Sequence, residues 1–243
     1  MFTNASSYLY NATKKRAFFK EVTILIPETW SDDPIYTSPK NATFSGADVI
    51  VAGYNPRFAQ HGENSATPYT KHFEGCGKQA MYIHMTSYFL LQYRHLEQFY
   101  GDYGRVLVHE WGHYRWGLFN EYPDVVTDRR DAKYFYYSDS NRIWEPASCP
   151  SGWRLIPLKY TGRTGTPYRL CRGNEQVGYE FGCTTQPSRD QPLVAGSIMH
   201  SYLNYPQVVN FCDNWADDQS SYTTVRHLRN ITNGVRAEAT GKS

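Results

Sequence analysis

The chain of 243 residues contains no run of about 18 consecutive apolar residues, the length that a membrane-spanning helix requires, so we expect no membrane span. A charge imbalance is also missing: 25 Lys and Arg against 23 Asp and Glu leave a formal net charge of +2. This balance argues against nucleic acid and against an anionic membrane as partners. Internal repeats are absent, and no secretory leader opens the chain. We therefore expect a trimmed leader or a fragment of a longer protein.

The five cysteines lack the CxxC spacing of a structural zinc ribbon. They stand at Cys76, Cys149, Cys171, Cys183 and Cys212. Three of them lie in a stretch rich in Gly and Pro, where a disulfide would substitute for a missing core. We expect at least one disulfide among Cys149, Cys171 and Cys183. The alternative is five buried thiols in a cytosolic protein.

Four N-x-S/T sequons accompany these cysteines, at Asn4, Asn11, Asn41 and Asn230. Each sequon alone is common by chance, but four of them together with widely spaced cysteines favour an oxidising secretory compartment. We therefore expect a secreted protein, or one at the extracellular face of the cell surface.

Residues 106–122 carry the most informative pattern, VLVHEWGHYRWGLFNEY, which contains HExxH at His109, Glu110 and His113. On a helix, positions four apart lie about 40° from the same face, so two imidazoles can bind one divalent metal. The intervening glutamate can then act as general base toward a water, the chemistry of a zinc peptidase. The alternative is a surface helix that carries these residues by chance. We predict Zn²⁺ as cofactor, His109 and His113 as ligands, and Glu110 as the catalytic base.

A catalytic zinc site needs three protein ligands, and the segment after the helix offers the third. Gly117 follows the second histidine by four positions, where it is suited to end the helix and turn the chain back. We predict Glu121 as the third ligand because its carboxylate is ionised at neutral pH, with Asn120 as a hydrogen-bonding neighbour. Asn120 offers only a neutral amide oxygen, and Asp124 lies further on after a proline. Both stay open as alternatives.

The remaining patterns predict an α+β fold. We expect a helix over residues 5–19, strands over 21–26, 48–52 and 81–85, a loop over 54–69, the active-site helix over about 103–116, and helical content over 213–233. Residues 87–100 fit either a helix or an irregular lead-in. Strand 81–85 is expected at the sheet edge beside the cleft, where extended substrate can pair with it. Residues 123–195, dominated by Gly, Pro, Arg and Tyr, are expected to be irregular.

Residues 196–200, GSIMH, resemble the methionine turn of the metzincin peptidases, whose methionine packs beneath the metal-binding histidines. The alternative is a buried methionine without that role. In metzincins a glycine follows the second histidine by three positions, whereas Gly117 follows by four, which indicates an enlarged turn. Where some metzincins have a tyrosine, this chain has Ser201. Tyr202 or Tyr205 is a candidate donor to an oxyanion.

The string HEW-x-H-x-RWG-x-F-x-EY is specific, and several other segments of the chain form a longer sequence pattern together with it. They cover residues 7–30, 46–52, 68–91, 196–199 and 208–213. Over most of its length the chain thereby resembles the amino-terminal metalloprotease domain of the calcium-activated chloride channel regulators. The resemblance implies a secreted zinc endopeptidase that cleaves its own polypeptide downstream and is followed by a von Willebrand factor type A domain and β-sandwich modules. In this family the residue before the final glutamate is usually aspartate, whereas this chain has Asn120.

Together these patterns predict a single metzincin-like zinc peptidase domain over residues 1–243, with an upper part of about 1–117 and a lower part of about 118–243. We expect a small mixed sheet, an active-site helix and an irregular lower half braced by disulfides. The expected function is a zinc endopeptidase that acts on polypeptide, including its own downstream chain, with a chloride channel as partner of the full-length protein. The alternative is a catalytically inactive metal-binding interaction module that regulates a channel or an extracellular partner.

Overall fold

The computed structural model describes residues 1–38, 41–58, 63–72, 77–118, 120–122, 134–139, 141–146, 155–188, 196–200, 203 and 208–211. The α-helices are α1 (Phe2–Ala12), α2 (Ser87–Leu91), α3 (Tyr93–Tyr100) and α4 (Tyr103–Trp116), with 3-10 helices at Phe44–Gly46 and Glu63–Ala66. The strands are β1 (Val49–Ala52), β2 (Tyr69–Lys71), β3 (Tyr82–Thr86), β4 (Phe135–Ser138), β5 (Ile143–Pro146), β6 (Leu155–Tyr160), β7 (Tyr168–Leu170), β8 (Gly173–Asn174), β9 (Gly178–Tyr179), β10 (Cys183–Pro187), β11 (Gly196–Ser197) and β12 (Val208–Asn210). This mixture confirms the α+β class.

The hydrophobic core forms around α4, which packs against α1 and the sheet that contains β3. Leu107 of α4 and both Ile83 and Met85 of β3 are fully buried. Leu9 of α1 is also buried. Burying each such side chain contributes about 1.5–3 kcal/mol, so this packing fixes the position of α4.

Helix α1 ends at Ala12, seven residues before the predicted end. Lys14 and Lys15 adopt positive φ angles of 53° and 66°, which a continuing α-helix excludes. The Thr13 hydroxyl donates to the Leu9 carbonyl and accepts the Ala17 N–H, and these bonds stabilise the turn. The prediction of a helix over residues 5–19 is therefore correct only in its first half.

The strand predicted over residues 21–26 is wrong, because these residues have no regular secondary structure. Their β-branched and aliphatic side chains suggested a strand, yet Ile24 is 77% exposed and Val22 and Leu25 are 40% exposed each. A strand preference in the sequence takes effect only where a neighbouring strand and a buried face are present.

The first three strands form a sheet of order β1-β3-β2, in which β3 is parallel to β1 and antiparallel to β2. The strand predicted over residues 81–85 is confirmed as β3, but its expected edge position is wrong, because β3 is central and mostly buried. The edge next to α4 is formed by β2, which begins at the last residue of the predicted loop 54–69.

The lower half is more regular than we expected. Its described residues form a three-stranded antiparallel sheet of order β10-β6-β7 and two-stranded pairings of β4 with β5 and of β8 with β9. Along β10, buried positions alternate with partly exposed ones, although its sequence CTTQP has no apolar alternation. The predicted disulfide is confirmed between Cys171 and Cys183. The other cysteines and the predicted helix over 213–233 lie outside the described residues.

Among the described residues, none of the helices is both long enough and apolar enough to cross a bilayer.

Candidate metal centre

Helix α4 carries the HExxH residues and has well-defined ends. It begins after Asp102, whose carboxylate accepts the N–H of Gly104 at 2.7 Å. It ends at Gly117, which has left-handed dihedrals of 60° and 33° and donates its N–H to the His113 carbonyl at 3.0 Å. A side chain at Gly117 would also meet the Lys78 carbonyl at 2.6 Å, so glycine is required there. The predicted helix bounds are confirmed.

Backbone carbonyls orient both imidazoles. Nδ1 of His109 lies 2.7 Å from the Ile198 oxygen, and Nδ1 of His113 lies 2.5 Å from the Leu118 oxygen. Because a carbonyl can only accept, each Nδ1 carries the hydrogen, and in a neutral ring each Nε2 then presents a lone pair. The two Nε2 atoms face each other at 3.1 Å.

The third atom of this cluster is an oxygen of Asn120. Its Oδ1 lies 2.9 Å from His113 Nε2. With the Asn120 amide in this orientation, two lone-pair nitrogens and an amide oxygen converge, an arrangement that a cation at its centre would stabilise.

Burial keeps the two imidazoles neutral. It lowers the pKa of His109, against the opposing effect of the hydrogen bond to Ile198. Burial, assisted by the neighbouring His109, lowers the pKa of His113 to about 4. Neutral imidazole is the form that binds metal, so both side chains are ready for coordination at neutral pH.

The carboxylate of Glu110 lies beside this cluster on the same helix and is buried. Its Oε2 accepts a hydrogen bond from Thr70 Oγ1 at 2.7 Å, and the same hydroxyl lies 3.0 Å from the Glu110 carbonyl oxygen. Burial raises the pKa of Glu110, whereas His113 and the Thr70 hydroxyl act in the opposite direction. A buried carboxylate with a raised pKa is suited to accept a proton.

Glu121, predicted as the third ligand, contacts the turn that carries Met199. Its Oε1 accepts a hydrogen bond from Ser197 Oγ at 2.7 Å, and its N–H donates to the Met199 carbonyl at 2.9 Å. Within the described residues, no three His, Cys, Asp or Glu side chains form a metal-binding group. The structure brings Asn120 to the two histidines, and the assignment of Glu121 as a zinc ligand stays a prediction. Asp124 lies outside the described residues.

The turn that carries Met199 packs against α4. Met199 is only 2% exposed, and a Cβ added at Gly112 would lie 2.6 Å from its sulfur. The turn closes through a hydrogen bond from the His200 N–H to the Ser197 carbonyl at 3.1 Å. Ser201, Tyr202 and Tyr205 lie outside the described residues.

Three further side chains near the cluster had no assigned role in the sequence analysis. Thr70 bonds to Glu110, as described above. The Tyr122 ring stacks on His109 with centroids 6.3 Å apart, and His72 lies edge-on to His113 at 6.4 Å. The sequence does carry a signal for Tyr122, because it is the last residue of the HEW-x-H-x-RWG-x-F-x-EY string. Thr70 lies in β2 and His72 follows that strand, about 40 residues before the HExxH helix, so neither was identifiable from the sequence near the motif.

The cluster fits zinc in its donor atoms and in their spacing. Histidine nitrogens bind zinc at about 2.0–2.1 Å, so two of them in a tetrahedral site stand about 3.3 Å apart. The observed 3.1 Å between the Nε2 atoms is close to this separation. An amide oxygen is a weaker zinc donor than a carboxylate, so His109, His113 and Asn120 would form a site of moderate affinity.

These observations define a class: an α+β domain with a buried HExxH helix that is closed below by a methionine-bearing turn. A family model described as calcium-activated chloride channel N terminal matches residues 1–232. The chain therefore belongs to the calcium-activated chloride channel regulator family.

Several curated relatives support this membership. Calcium-activated chloride channel regulator 1 of Mus musculus is 48% identical over 212 residues, and its counterpart from Bos taurus is 40% identical over 216 residues; both alignments cover 87% of this chain. Regulator 4 of Homo sapiens is 37% identical over 223 residues, or 91% of the chain. The chain spans 22% of the length of each of these relatives. No solved structure matches the chain significantly.

Proposed function

We propose that this chain is a zinc-dependent endopeptidase domain. The observation that carries the proposal is the convergence of His109 Nε2, His113 Nε2 and Asn120 Oδ1, with the Glu110 carboxylate on the same helix. Three acceptor atoms without a hydrogen among them favour a cation, and an adjacent buried carboxylate is the base that hydrolysis needs.

In this proposal His109, His113 and Asn120 hold the zinc ion. A bound zinc ion supplies Lewis acidity, which polarises a carbonyl and lowers the pKa of a water. Glu110 takes the proton from the water that attacks the scissile carbonyl carbon. The same carboxyl group then delivers that proton to the nitrogen of the leaving amine as the peptide bond breaks.

We also propose a metzincin-like architecture for this single domain. The supporting features are the helix α4 that ends at Gly117, the sheet edge formed by β2 beside it, and the buried Met199 under Gly112. The enlarged turn between His113 and Asn120 distinguishes the chain from the metzincin spacing.

A secreted or cell-surface location is part of the same proposal. The disulfide between Cys171 and Cys183 is typical of an oxidising compartment. The sequon residues Asn4, Asn11 and Asn41 are exposed, as glycan attachment requires.

The proposed substrate is polypeptide, and the downstream chain of a longer precursor is the first candidate. The relatives are named as chloride channel regulators. We propose that a chloride channel is a partner of the longer protein and that this domain contributes proteolysis.

Cleavage of fluorescein-labelled casein by the wild-type chain and by Glu110→Gln tests the proposal. The wild type should cleave and be inhibited by a chelator, while Glu110→Gln should bind zinc and lose cleavage by about 100-fold or more, because it keeps the proposed ligands and removes the base. Glu97→Gln, on the exposed side of α3, is the matched control and should retain activity. A zinc-loaded wild type without cleavage would favour the non-catalytic interaction module.

A further inference from the structure

The side chain of Thr70 connects the sheet edge to the proposed base. Thr70 is the central residue of β2 and pairs with Ile83 of β3. Its hydroxyl lies 2.7 Å from Glu110 Oε2 and 3.0 Å from the Glu110 carbonyl oxygen. One hydroxyl therefore contacts both the carboxylate and the backbone of the same helical residue.

This contact restrains a side chain that would otherwise have several rotamers. Glu110 reaches its carboxylate through three rotatable bonds, whereas β-branched threonine has a stiff χ1. The backbone of Thr70 is held in turn by antiparallel pairing of its neighbours, Tyr69 with His84 and Lys71 with Tyr82. The hydroxyl thus holds Oε2 from a rigid strand.

We propose that Thr70 is a positioning residue that orients the Glu110 carboxylate for proton transfer. The inference rests on the proposed peptidase function. By binding Oε2, the hydroxyl leaves Oε1 as the oxygen that takes the proton from the attacking water. Since the second contact goes to the Glu110 backbone, Thr70 also fixes the distance between α4 and the edge strand.

Kinetic and metal measurements on Thr70→Val and Thr70→Ser test this role. Thr70→Val keeps the shape of the side chain and removes the hydroxyl, whereas Thr70→Ser retains it. The substrate is the casein peptide that the wild-type chain cleaves fastest, carrying a donor and a quencher. Thr70→Val should lower kcat by about 10- to 100-fold, with KM within about threefold and unchanged zinc content, and Thr70→Ser should restore most of kcat.

Thr86→Val is the matched control. Thr86 is a buried threonine at the end of β3, and its hydroxyl donates to the Ala66 carbonyl at 2.7 Å, away from Glu110. This variant should lose stability and retain kcat. If Thr70→Val does not fold, Thr70→Ala removes the same hydroxyl with less bulk at the strand edge.

The outcomes separate the positioning role from the proposed function. If the wild type cleaves and Thr70→Val or Thr70→Ala keeps its kcat, the positioning role is wrong and the peptidase function stands. Equal losses of kcat in the Thr70 and Thr86 variants would also contradict the positioning role of Thr70, because such losses would reflect reduced stability alone. If the wild type does not cleave, both proposals fall together.

Discussion

The carboxylate of Glu121 accepts a hydrogen bond from Ser197 Oγ at 2.7 Å, and this bond joins the segment after the active-site helix to the methionine turn. The Glu121 N–H donates to the Met199 carbonyl, and the Met199 N–H donates to Ser197 Oγ at 3.2 Å. Glu121 thereby holds two segments together beneath the histidines, and Asn120, one residue earlier, faces His113.

Ser197→Ala should destabilise the chain by about 1–3 kcal/mol, because it removes the donor to a buried carboxylate oxygen. Urea unfolding in the presence of a chelator measures this change without a contribution from metal binding. Ser7→Ala, on the exposed face of α1, should change the free energy of unfolding by less than about 0.5 kcal/mol. Equal stabilities of the two variants would contradict the role of the Glu121–Ser197 bond.

Asn120→Ala should weaken zinc affinity by more than about tenfold, whereas Glu121→Gln, which retains an oxygen for Ser197, should change it by less than about threefold. Asn120→Asp should strengthen binding, since a carboxylate adds charge and is a better zinc donor than an amide. Competition with a chromophoric chelator gives these affinities. The reverse order for the Asn120→Ala and Glu121→Gln variants would identify Glu121 as the third ligand.

Gly112→Ala should destabilise the chain by about 1–3 kcal/mol despite the better helix propensity of alanine. The added Cβ would lie 2.6 Å from Met199 Sδ and 3.1 Å from Phe211 Cε1. Thermal unfolding measures the loss, and Gly53→Ala, with no atom within 4 Å of its Cβ, is the control. In a Met199→Ala background the same Gly112 substitution should cost less, and an unchanged cost would contradict the contact.

Replacing Cys171 and Cys183 with serine should destabilise the lower sheet by about 3 kcal/mol in the chain-entropy picture. The disulfide joins the segment after β7 to the start of β10. Hydrogen exchange of the amides that pair β6 with β10 should accelerate, while exchange within α4 should stay unchanged. Unaltered protection of the β6–β10 amides would show that the sheet does not depend on the disulfide.

The parts of the fold that depend on local sequence were predictable. The bounds of α4 followed from an apolar lead-in and from Gly117, whose left-handed conformation is a local property. The strand β3 was predicted as a short run that is mostly apolar, and the core buries most of it. In both elements, local preference and tertiary packing agree.

The parts that depend on distant partners were not predictable. Glu121 is held by hydrogen bonds to the Ser197 hydroxyl and the Met199 carbonyl, nearly 80 residues away, and the contact between Asn120 and His113 depends on how the chain turns after α4. The edge strand β2 has only three residues and no apolar alternation, so its position beside Glu110 appears only in three dimensions.

The zinc content of the purified chain tests the central claim most directly. Mass spectrometry of the metal, with protein concentration measured in parallel, should give about one zinc ion per wild-type chain. His109→Ala and His113→Ala should each lose that zinc, because two imidazoles form most of the site, while Glu110→Gln should retain it. A wild-type chain without zinc, or equal zinc in the wild type and in both histidine variants, would contradict the account.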